Sequence, residues 1–198
     1  MLNVHAILPR SRANGPGVRT VIWLQGCTLR CPGCFNPGTH SAEPRLLMPE
    51  ADLLARIIAD QHEIEGVSIS GGEPLQQPEG LLALLAGIRE KTRLSVVIFS
   101  GCTRDEIGAL PLGRRILAAV DVLIDGRYDQ SRRLARGLRG SSNQTVHLLT
   151  ERYTAEEIER TPPGEIIIDS AGNIAVSGVG PVVLHNDDGK RNRRKGRL

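Results

Sequence analysis

The amino-acid sequence predicts an α/β protein in which strands and helices alternate to build an open, partial (β/α) barrel. Apolar, β-branched segments alternate with amphipathic helical segments from about residue 20 to residue 150. Each predicted strand ends in a polar or glycine-rich loop, which is typical of a parallel sheet with right-handed crossovers. Five such units are too few to close an eight-stranded barrel, so the barrel is expected to stay open.

The chain has 198 residues, enough for one domain with a sizeable core and short for two. We find no internal repeat and no linker, and we expect a single α/β domain over residues 1–185. Its core spans about residues 11–150, and residues 151–185 form an extension that contains a β-hairpin. Residues 186–198 are predicted to be a disordered basic tail.

The positive net charge belongs to this tail. Residues 190–197 carry six of the 25 basic residues and none of the 22 acidic ones, so the rest of the chain has a net charge of −3. Such an unpatterned run favours a solvated end over contact with RNA, DNA or an acidic partner, and we expect no nucleic-acid partner. No apolar run has membrane-spanning length and the first residues lack a signal-peptide layout, so we expect a cytoplasmic protein without membrane contact.

Near the N-terminus, residues 2–7 are consistent with an entry strand, and a glycine–proline loop follows over Ser11–Arg19. Thr20–Leu24 is a continuous β-branched and apolar run, as in a strand buried on both faces. Further predicted strands are Val67–Ile69, Leu94–Phe99, Val120–Ile124 and Val146–Leu149. Predicted helices cover Pro49–His62, Pro78–Lys91, a short stretch from Arg104, Arg114–Ala119 and a short stretch after the capping box at Thr154.

Two parts of the second half lack this alternation. The arginine-rich stretch Arg127–Asn143 shows no periodicity, which predicts a polar loop that is mobile in isolation. Near the end, Glu165–Asp169 and Asn173–Ser177 flank Ser170–Gly172, a strong hairpin signal.

Cysteine spacing is the main chemical signal. Cys27, Cys31 and Cys34 follow the first buried strand at the spacing C-x3-C-x2-C, and Cys102 lies far from them. Three thiolates on one tight loop can hold three corners of a [4Fe–4S] cluster and leave the fourth iron open. A structural zinc site would need a fourth ligand from a second short-spaced pair, and a disulfide framework does not suit three adjacent cysteines.

A second loop, Gly71-Gly72-Glu73, follows the next predicted strand. Its glycines allow close backbone approach and its carboxylate could bind an amine, although by itself the stretch also fits a plain strand-to-helix turn. Adjacent parallel strands would place it opposite the cysteine loop. The two loops would then frame one small-molecule site.

Over about residues 11–149 the sequence resembles the radical S-adenosylmethionine enzymes, and most of all the glycyl-radical-enzyme activases that serve anaerobic ribonucleotide reductase. The resemblance rests on five ordered segments, which are Asn14–Arg19, Gly26–Pro37, Ser70–Leu75, Asp121–Gly126 and Arg139–Gln144.

The resemblance implies a barrel of the radical-enzyme type and a cofactor pair. Cys27, Cys31 and Cys34 would ligate the [4Fe–4S] cluster, and S-adenosylmethionine would chelate its open iron through the methionyl amine and carboxylate. One-electron reduction by a flavodoxin- or ferredoxin-type donor would cleave the sulfonium, and the 5′-deoxyadenosyl radical would take a hydrogen atom from a glycine of the partner. Residues implied to bind S-adenosylmethionine are Asn36, Ser70, Gly71, Gly72, Glu73, Ser100, Asp125 and Asn143.

The Asn14–Arg19 loop would help to receive the partner's glycyl loop, with Gly15, Gly17 and Arg19 as candidate docking residues. Asn14 stands where these activases usually have aspartate. Ser100-Gly101-Cys102 replaces the commoner Thr-Gly-Tyr, so an aromatic residue near the cofactor is missing.

Other conspicuous residues are expected to be structural. We expect Cys102 to be a small buried residue, Trp23 a core residue and His147 a hydrogen-bonded strand residue. Three alternatives stay open at this point: a small radical enzyme that acts on another protein or a small molecule, an iron–sulfur electron carrier with four protein ligands, and an RNA-binding module that uses the basic tail.

Overall fold

The computed structural model describes residues 1–168 and 171–180. Its strands are β1 (Leu2–Ser11), β2 (Arg19–Leu24), β3 (Leu46–Met48), β4 (Gly66–Gly71), β5 (Ser95–Phe99), β6 (Val122–Asp125), β7 (Arg133–Arg136), β8 (Arg139–Ser141), β9 (Thr145–Leu148), β10 (Gly164–Ile168) and β11 (Ile174–Gly178). Its α-helices are α1 (Glu50–Ala59), α2 (Pro78–Lys91), α3 (Arg104–Ala109), α4 (Gly113–Leu117) and α5 (Ala155–Glu159). Single 3-10 turns cover Pro37–Thr39, Pro74–Gln76 and Gln130–Arg132.

Seven strands form the central sheet, in the order β3-β1-β2-β4-β5-β6-β9. The four strands β2, β4, β5 and β6 are parallel to one another, as the sequence predicts. The predicted fifth parallel strand is wrong, because β9 runs antiparallel to β6, with His147 opposite Leu123. No crossover helix lies between β6 and β9, so the chain returns in the opposite direction. The α/β class is confirmed, and closure toward a partial barrel stays a prediction.

Helices α1 and α2 follow the predicted amphipathic pattern. Pro49 immediately precedes α1, and Glu50 and Asp52 lie in its first turn, where they favour the positive end of the helix dipole. The buried faces of the two helices consist of aliphatic side chains that join the core cluster formed by the sheet. These side chains are Leu53, Leu54, Ile57, Leu81, Leu84, Leu85 and Ile88.

The arginine-rich stretch contains strands where the sequence predicts an irregular loop. It contains the β7–β8 hairpin, and Leu138 at its turn is buried. Arg136 and Arg139 pair with the Glu159 carboxylate at 2.7 and 2.9 Å. A single carboxylate on α5 therefore holds two arginines of the hairpin, a contact between segments that no local periodicity can show.

The C-terminal extension contains the predicted hairpin. β10 and β11 pair antiparallel, with Ile166 opposite Val176, and the capping box at Thr154 begins α5. Asp169 and Ser170 of the predicted hairpin and the basic tail 186–198 lie outside the described residues. None of the helices in the described ranges is long and apolar enough to cross a membrane.

Candidate functional site

The cysteine loop begins where β2 ends and is closed by hydrogen bonds across its base. Gly26 N donates to Thr39 O at 2.8 Å, and the Gln25 side-chain Nε2 donates to Ser41 O at 2.7 Å. The segment between these bonds carries three thiols. They are therefore held on one closed loop at the carboxyl end of a central parallel strand, the edge at which α/β sheets bind ligands.

Inside the loop, a tight turn orients the third cysteine. Cys34 N donates to Cys31 O at 3.1 Å, and Asn36 N donates to Cys34 Sγ at 3.4 Å. Burial raises the pKa of the Cys34 thiol, the hydrogen bond from Asn36 N lowers it, and the neighbouring Cys31 and Cys27 raise it. Three cysteines on one closed loop can bind iron as thiolates, so the donor set fits a group that contains iron.

The Gly71-Gly72-Glu73 loop contacts the cysteine loop directly. β2 and β4 are parallel neighbours with Leu24 opposite Gly71. Gly72 N donates to Leu24 O at 2.7 Å, and Glu73 N donates to Gly26 O at 2.9 Å. A Cβ atom at position 72 would lie 2.2 Å from Gly26 O, so only glycine permits this approach. The structure thus brings together the two loops that sequence reasoning placed on one site.

The Glu73 carboxylate is buried and already has three protein donors. Oε1 accepts from Leu75 N at 3.0 Å and from Ser100 Oγ at 2.8 Å, and Oε2 accepts from Gly101 N at 2.8 Å. Burial raises its pKa in spite of these hydrogen bonds. The carboxylate therefore links the loop after β4 to the loop after β5, and any amine would share it with these donors.

A cavity of about 200 Å³ lies between these loops. Most of the residues predicted to bind cluster or cofactor contribute to its walls: Cys27, Cys31, Cys34, Asn36, Ser70, Gly71, Gly72, Glu73 and Ser100. Cys102 does not line it; its thiol is partly buried, and its backbone N–H donates to Ser100 Oγ at 2.9 Å. The cavity therefore joins three of the four cysteines with the glycine-rich loop.

Two predicted cofactor residues, Asp125 and Asn143, lie outside the cavity lining. Asp125 Oδ2 accepts from Arg104 N at 2.5 Å and lies 3.0 Å from His147 Nε2, without the alignment of a hydrogen bond. Asn143 is exposed and donates to Arg127 O at 2.8 Å. Their chain neighbours Gly126 and Gln144 line the cavity instead. Gly126 directly follows β6 and Gln144 directly precedes β9, so the chain borders the cavity one position away from each predicted residue.

Aromatic side chains line the cavity where sequence reasoning saw none. Phe35 and Tyr128 are in ring contact, with centroids 4.4 Å apart, and the Arg133 guanidinium lies 5.0 Å from the Phe35 centroid. Trp23, predicted to be a core residue, also lines the cavity. This position could have been predicted from the sequence. Trp23 lies between the buried residues Ile22 and Leu24, and alternation along a strand places it on the opposite face of β2.

The predicted docking loop surrounds a buried arginine. Arg19 is 0 % exposed, and its guanidinium donates to Ser68 Oγ at 2.8 Å and to Val67 O at 2.9 Å. A Cβ atom on Gly15 would lie 2.7 Å from Arg19 Cδ, so this glycine makes room for the side chain. Arg19 therefore has no exposed surface with which to contact a partner. The prediction that it docks the partner directly is wrong, and its role is structural.

Single-metal coordination is a separate question. Among residues 1–168 and 171–180, no three His, Cys, Asp or Glu side chains converge on a point that could hold one metal ion. A cuboidal cluster takes each thiolate at a different iron, so its ligands need not converge. The three cavity cysteines fit the cluster better than a mononuclear site.

Comparison with known proteins defines first a class and then a family. Residues 13–147 match the family model described as a 4Fe-4S single cluster domain. The anaerobic ribonucleoside-triphosphate reductase-activating protein of Escherichia coli K12 is 32 % identical over 155 residues, which cover 75 % of this chain and 99 % of that protein. The proteins of the same name from Salmonella typhimurium and from phage T4 are 33 % and 31 % identical, over 75 % and 73 % of this chain and 99 % and 93 % of their own lengths. The chain belongs to the family of anaerobic ribonucleoside-triphosphate reductase-activating proteins.

Proposed function

We propose that this protein is a radical S-adenosylmethionine activase that installs a glycyl radical on anaerobic ribonucleoside-triphosphate reductase. One observation carries the proposal. Cys27, Cys31 and Cys34 share a single cavity with the Gly71-Gly72-Glu73 loop, and the two loops are hydrogen-bonded to each other. This gives three cluster ligands beside a backbone that a small ligand can approach closely. The relatives' shared name supplies the reductase as the partner.

The residues present fit both cofactors. The three cysteines would each hold one iron of a [4Fe–4S] cluster and leave the fourth for the methionyl amine and carboxylate of S-adenosylmethionine. When bound, the pair supplies one-electron cleavage of the sulfonium and removal of a hydrogen atom from the partner's glycine, with methionine and 5′-deoxyadenosine as products. The electron would come from a flavodoxin- or ferredoxin-type donor.

The chain's own contribution is to position and shield this chemistry. Gly71 and Gly72 would let backbone lie against the ligand, and Asn36 and Ser70 would offer polar groups, while Ser100 holds Glu73 in place. Phe35 and Tyr128 supply apolar ring surface that limits access of water and favours a planar base.

Asp125 keeps an indirect role in this proposal. Its carboxylate accepts the N–H of Arg104, the first residue of α3, and so orients the chain beyond the Ser100–Gly101 loop. Asn143 holds the backbone of Arg127 next to Gly126, which does line the cavity. The proposal also includes curvature of the sheet into an open partial barrel, and a cytoplasmic location.

The decisive experiment tests activation of the partner. The holoprotein, reconstituted anaerobically with iron and sulfide, is mixed with reductase, dithionite and S-adenosylmethionine, and the glycyl radical is measured by electron paramagnetic resonance. We expect a radical signal on the reductase with the wild-type protein and none with Cys31→Ala. If a protein with a demonstrated cluster forms 5′-deoxyadenosine but never a glycyl radical, the reductase is not its partner. If it forms neither, the assignment to radical chemistry fails.

A further inference from the structure

The β10–β11 hairpin has two different faces. The cross-strand register pairs Glu165 with Ser177, and these side chains share one face. Ile166 pairs with Val176 and Ile168 with Ile174, so these four apolar side chains share the other face, which we call the outer face. Val176, Ile168 and Ile174 are 64 %, 66 % and 68 % exposed. Ile167 and Ala175 share the face of Glu165 and Ser177, which is therefore mixed, whereas the outer face is wholly apolar and largely exposed.

Glu165 and Ser177 fasten the mixed face of the hairpin to the loop that precedes β2. The Glu165 carboxylate accepts the Ser11 hydroxyl, and it accepts Arg12 N at 2.9 Å through Oε2. Asn14 Nδ2 donates to Ser177 Oγ at 2.6 Å and to Ser11 Oγ at 2.7 Å. Ser11 and Asn14 are almost fully buried, so these bonds are shielded from water. Buried hydrogen bonds therefore hold the hairpin against the rest of the protein.

This fastened hairpin also forms part of the cavity wall. Val176, Ser177, Gly178 and Val179 line the same cavity as the three cysteines. The family model ends at residue 147, so the hairpin is additional to the part of the chain that the model describes. Val176 belongs both to the cavity wall and to the exposed outer face. The outer face is therefore continuous with the rim of the site.

We propose that the outer face of the hairpin is a docking surface for an extended, apolar segment of the protein whose glycine is activated. This inference rests on the proposed function, because only a protein substrate must bring a polypeptide segment to this cavity. Ile166, Ile168, Ile174 and Val176 are uncharged and β-branched, so they match an apolar strand rather than a charged ligand. In the described residues the hairpin forms a sheet of its own two strands, so a segment can also add along an edge.

The test separates docking from cofactor chemistry. Ile168→Thr/Ile174→Thr removes apolar surface while keeping β-branched residues, and neither position lines the cavity. The matched control is Leu148→Thr, another exposed apolar strand residue, on β9. Holoproteins are compared for 5′-deoxyadenosine formation without reductase, and for glycyl radical formation over a range of reductase concentrations.

We expect unchanged 5′-deoxyadenosine formation in all three proteins. The reductase concentration that gives half-maximal radical should rise about tenfold in the double variant and stay constant in Leu148→Thr, given the apolar area removed. An unchanged concentration dependence in the double variant overturns the inference. Loss of self-association by light scattering without that change would assign the face to a second copy of this chain, and would overturn it too. Absence of 5′-deoxyadenosine with the wild-type protein would instead refute the proposed function.

A second variant tests the docking surface by weakening the hydrogen bonds that hold the hairpin to the loop before β2. Glu165→Gln places an amide donor toward the backbone N–H groups that now donate to the carboxylate, and Glu156→Gln on the exposed side of α5 is its control. We expect hydrogen exchange at the Arg12 and Ala13 amides to accelerate about tenfold, since only one oxygen remains to accept from them and from the Ser11 hydroxyl. We also expect the half-maximal reductase concentration to rise in Glu165→Gln only. Faster exchange with an unchanged reductase dependence would contradict the docking role.

Discussion

Ser100 Oγ donates a hydrogen bond of 2.8 Å to Glu73 Oε1, and this bond joins the loop after β5 to the loop after β4. Both side chains are almost fully buried, and both residues line the cavity that holds the three cysteines. The same hydroxyl also accepts the N–H of Cys102 at 2.9 Å. One hydroxyl therefore fixes two loops behind the wall on which the cofactor is proposed to lie.

Removing this hydroxyl should weaken cofactor binding more than folding. Ser100→Ala leaves Cys102 N without its acceptor and removes one of the two donors to Glu73 Oε1, which costs about 1–3 kcal/mol. We expect KM for S-adenosylmethionine to rise about tenfold in the 5′-deoxyadenosine assay, since the loop is less well positioned. Ser131→Ala, at an exposed serine outside the cavity, is the control. Equal KM values for the two variants would show that the bond does not position the site.

The buried Glu73 carboxyl should give the protein a measurable pH dependence of stability. Burial raises its pKa in the folded state above the ordinary value of about 4.5. Its favourable contribution is then complete below about pH 4.5 and is lost as pH rises through the folded-state pKa. We expect the free energy of urea unfolding of the wild-type apoprotein to fall with rising pH relative to that of Glu73→Gln. Parallel pH profiles for the two proteins would show that this carboxyl titrates normally.

The contact between the two site loops should tolerate no side chain. In Gly72→Ala the new Cβ would lie 2.2 Å from Gly26 O, so the loops must separate. A displacement of about 1 Å can cost about 100-fold in rate, and we expect 5′-deoxyadenosine formation to fall by about that factor. Gly108→Ala on α3 is the control, because nothing lies within 4 Å of its Cβ. If Gly72→Ala keeps more than half of the wild-type rate, the proposed geometry of the loops is wrong.

Buried Arg19 should matter for stability. Its guanidinium also donates to Ser95 O at 3.1 Å and to Tyr153 Oη at 3.1 Å, which links β2 and β5 to the chain before α5. Arg19→Met removes the guanidinium donor from the buried Val67 and Ser95 carbonyls, and we expect the free energy of unfolding to fall by about 3 kcal/mol. The control is Arg93→Met, at an exposed arginine. A loss below 1 kcal/mol, as estimated for surface changes, would return Arg19 to the set of docking candidates.

Sequence reasoning reached the centre of the site because its signals are local. The C-x3-C-x2-C spacing and the run Thr20–Leu24 lie side by side in the chain, and each is informative without knowledge of the fold. The meeting of Cys27 with Gly71-Gly72-Glu73 then follows from parallel pairing of successive strands. Patterns of this kind need only the regularity of a β-α-β unit.

The features that the sequence does not show share a physical cause, since they depend on how distant segments assemble. All four residues of β6 are buried, so no alternation shows which of Asp125 and Gly126 faces the cavity. The acceptors that satisfy Arg19 come from β4, β5 and Tyr153, and the carboxylate that orders the arginine-rich hairpin is Glu159. Arg19 and its acceptors, and Glu159 and the arginines it pairs with, are far apart in sequence. Such contacts can be identified only once the sheet and its register are known.

The most direct test of the central claim is cleavage of S-adenosylmethionine by the reconstituted protein and its single-cysteine variants. Protein with a cluster shown by absorbance is mixed anaerobically with dithionite and S-adenosylmethionine, and 5′-deoxyadenosine is measured by chromatography. We predict formation of 5′-deoxyadenosine by the wild-type protein and by Cys102→Ala, and its loss in Cys27→Ala, Cys31→Ala and Cys34→Ala. A wild-type protein that carries its cluster and forms no 5′-deoxyadenosine, or equal loss in Cys102→Ala, would contradict the account.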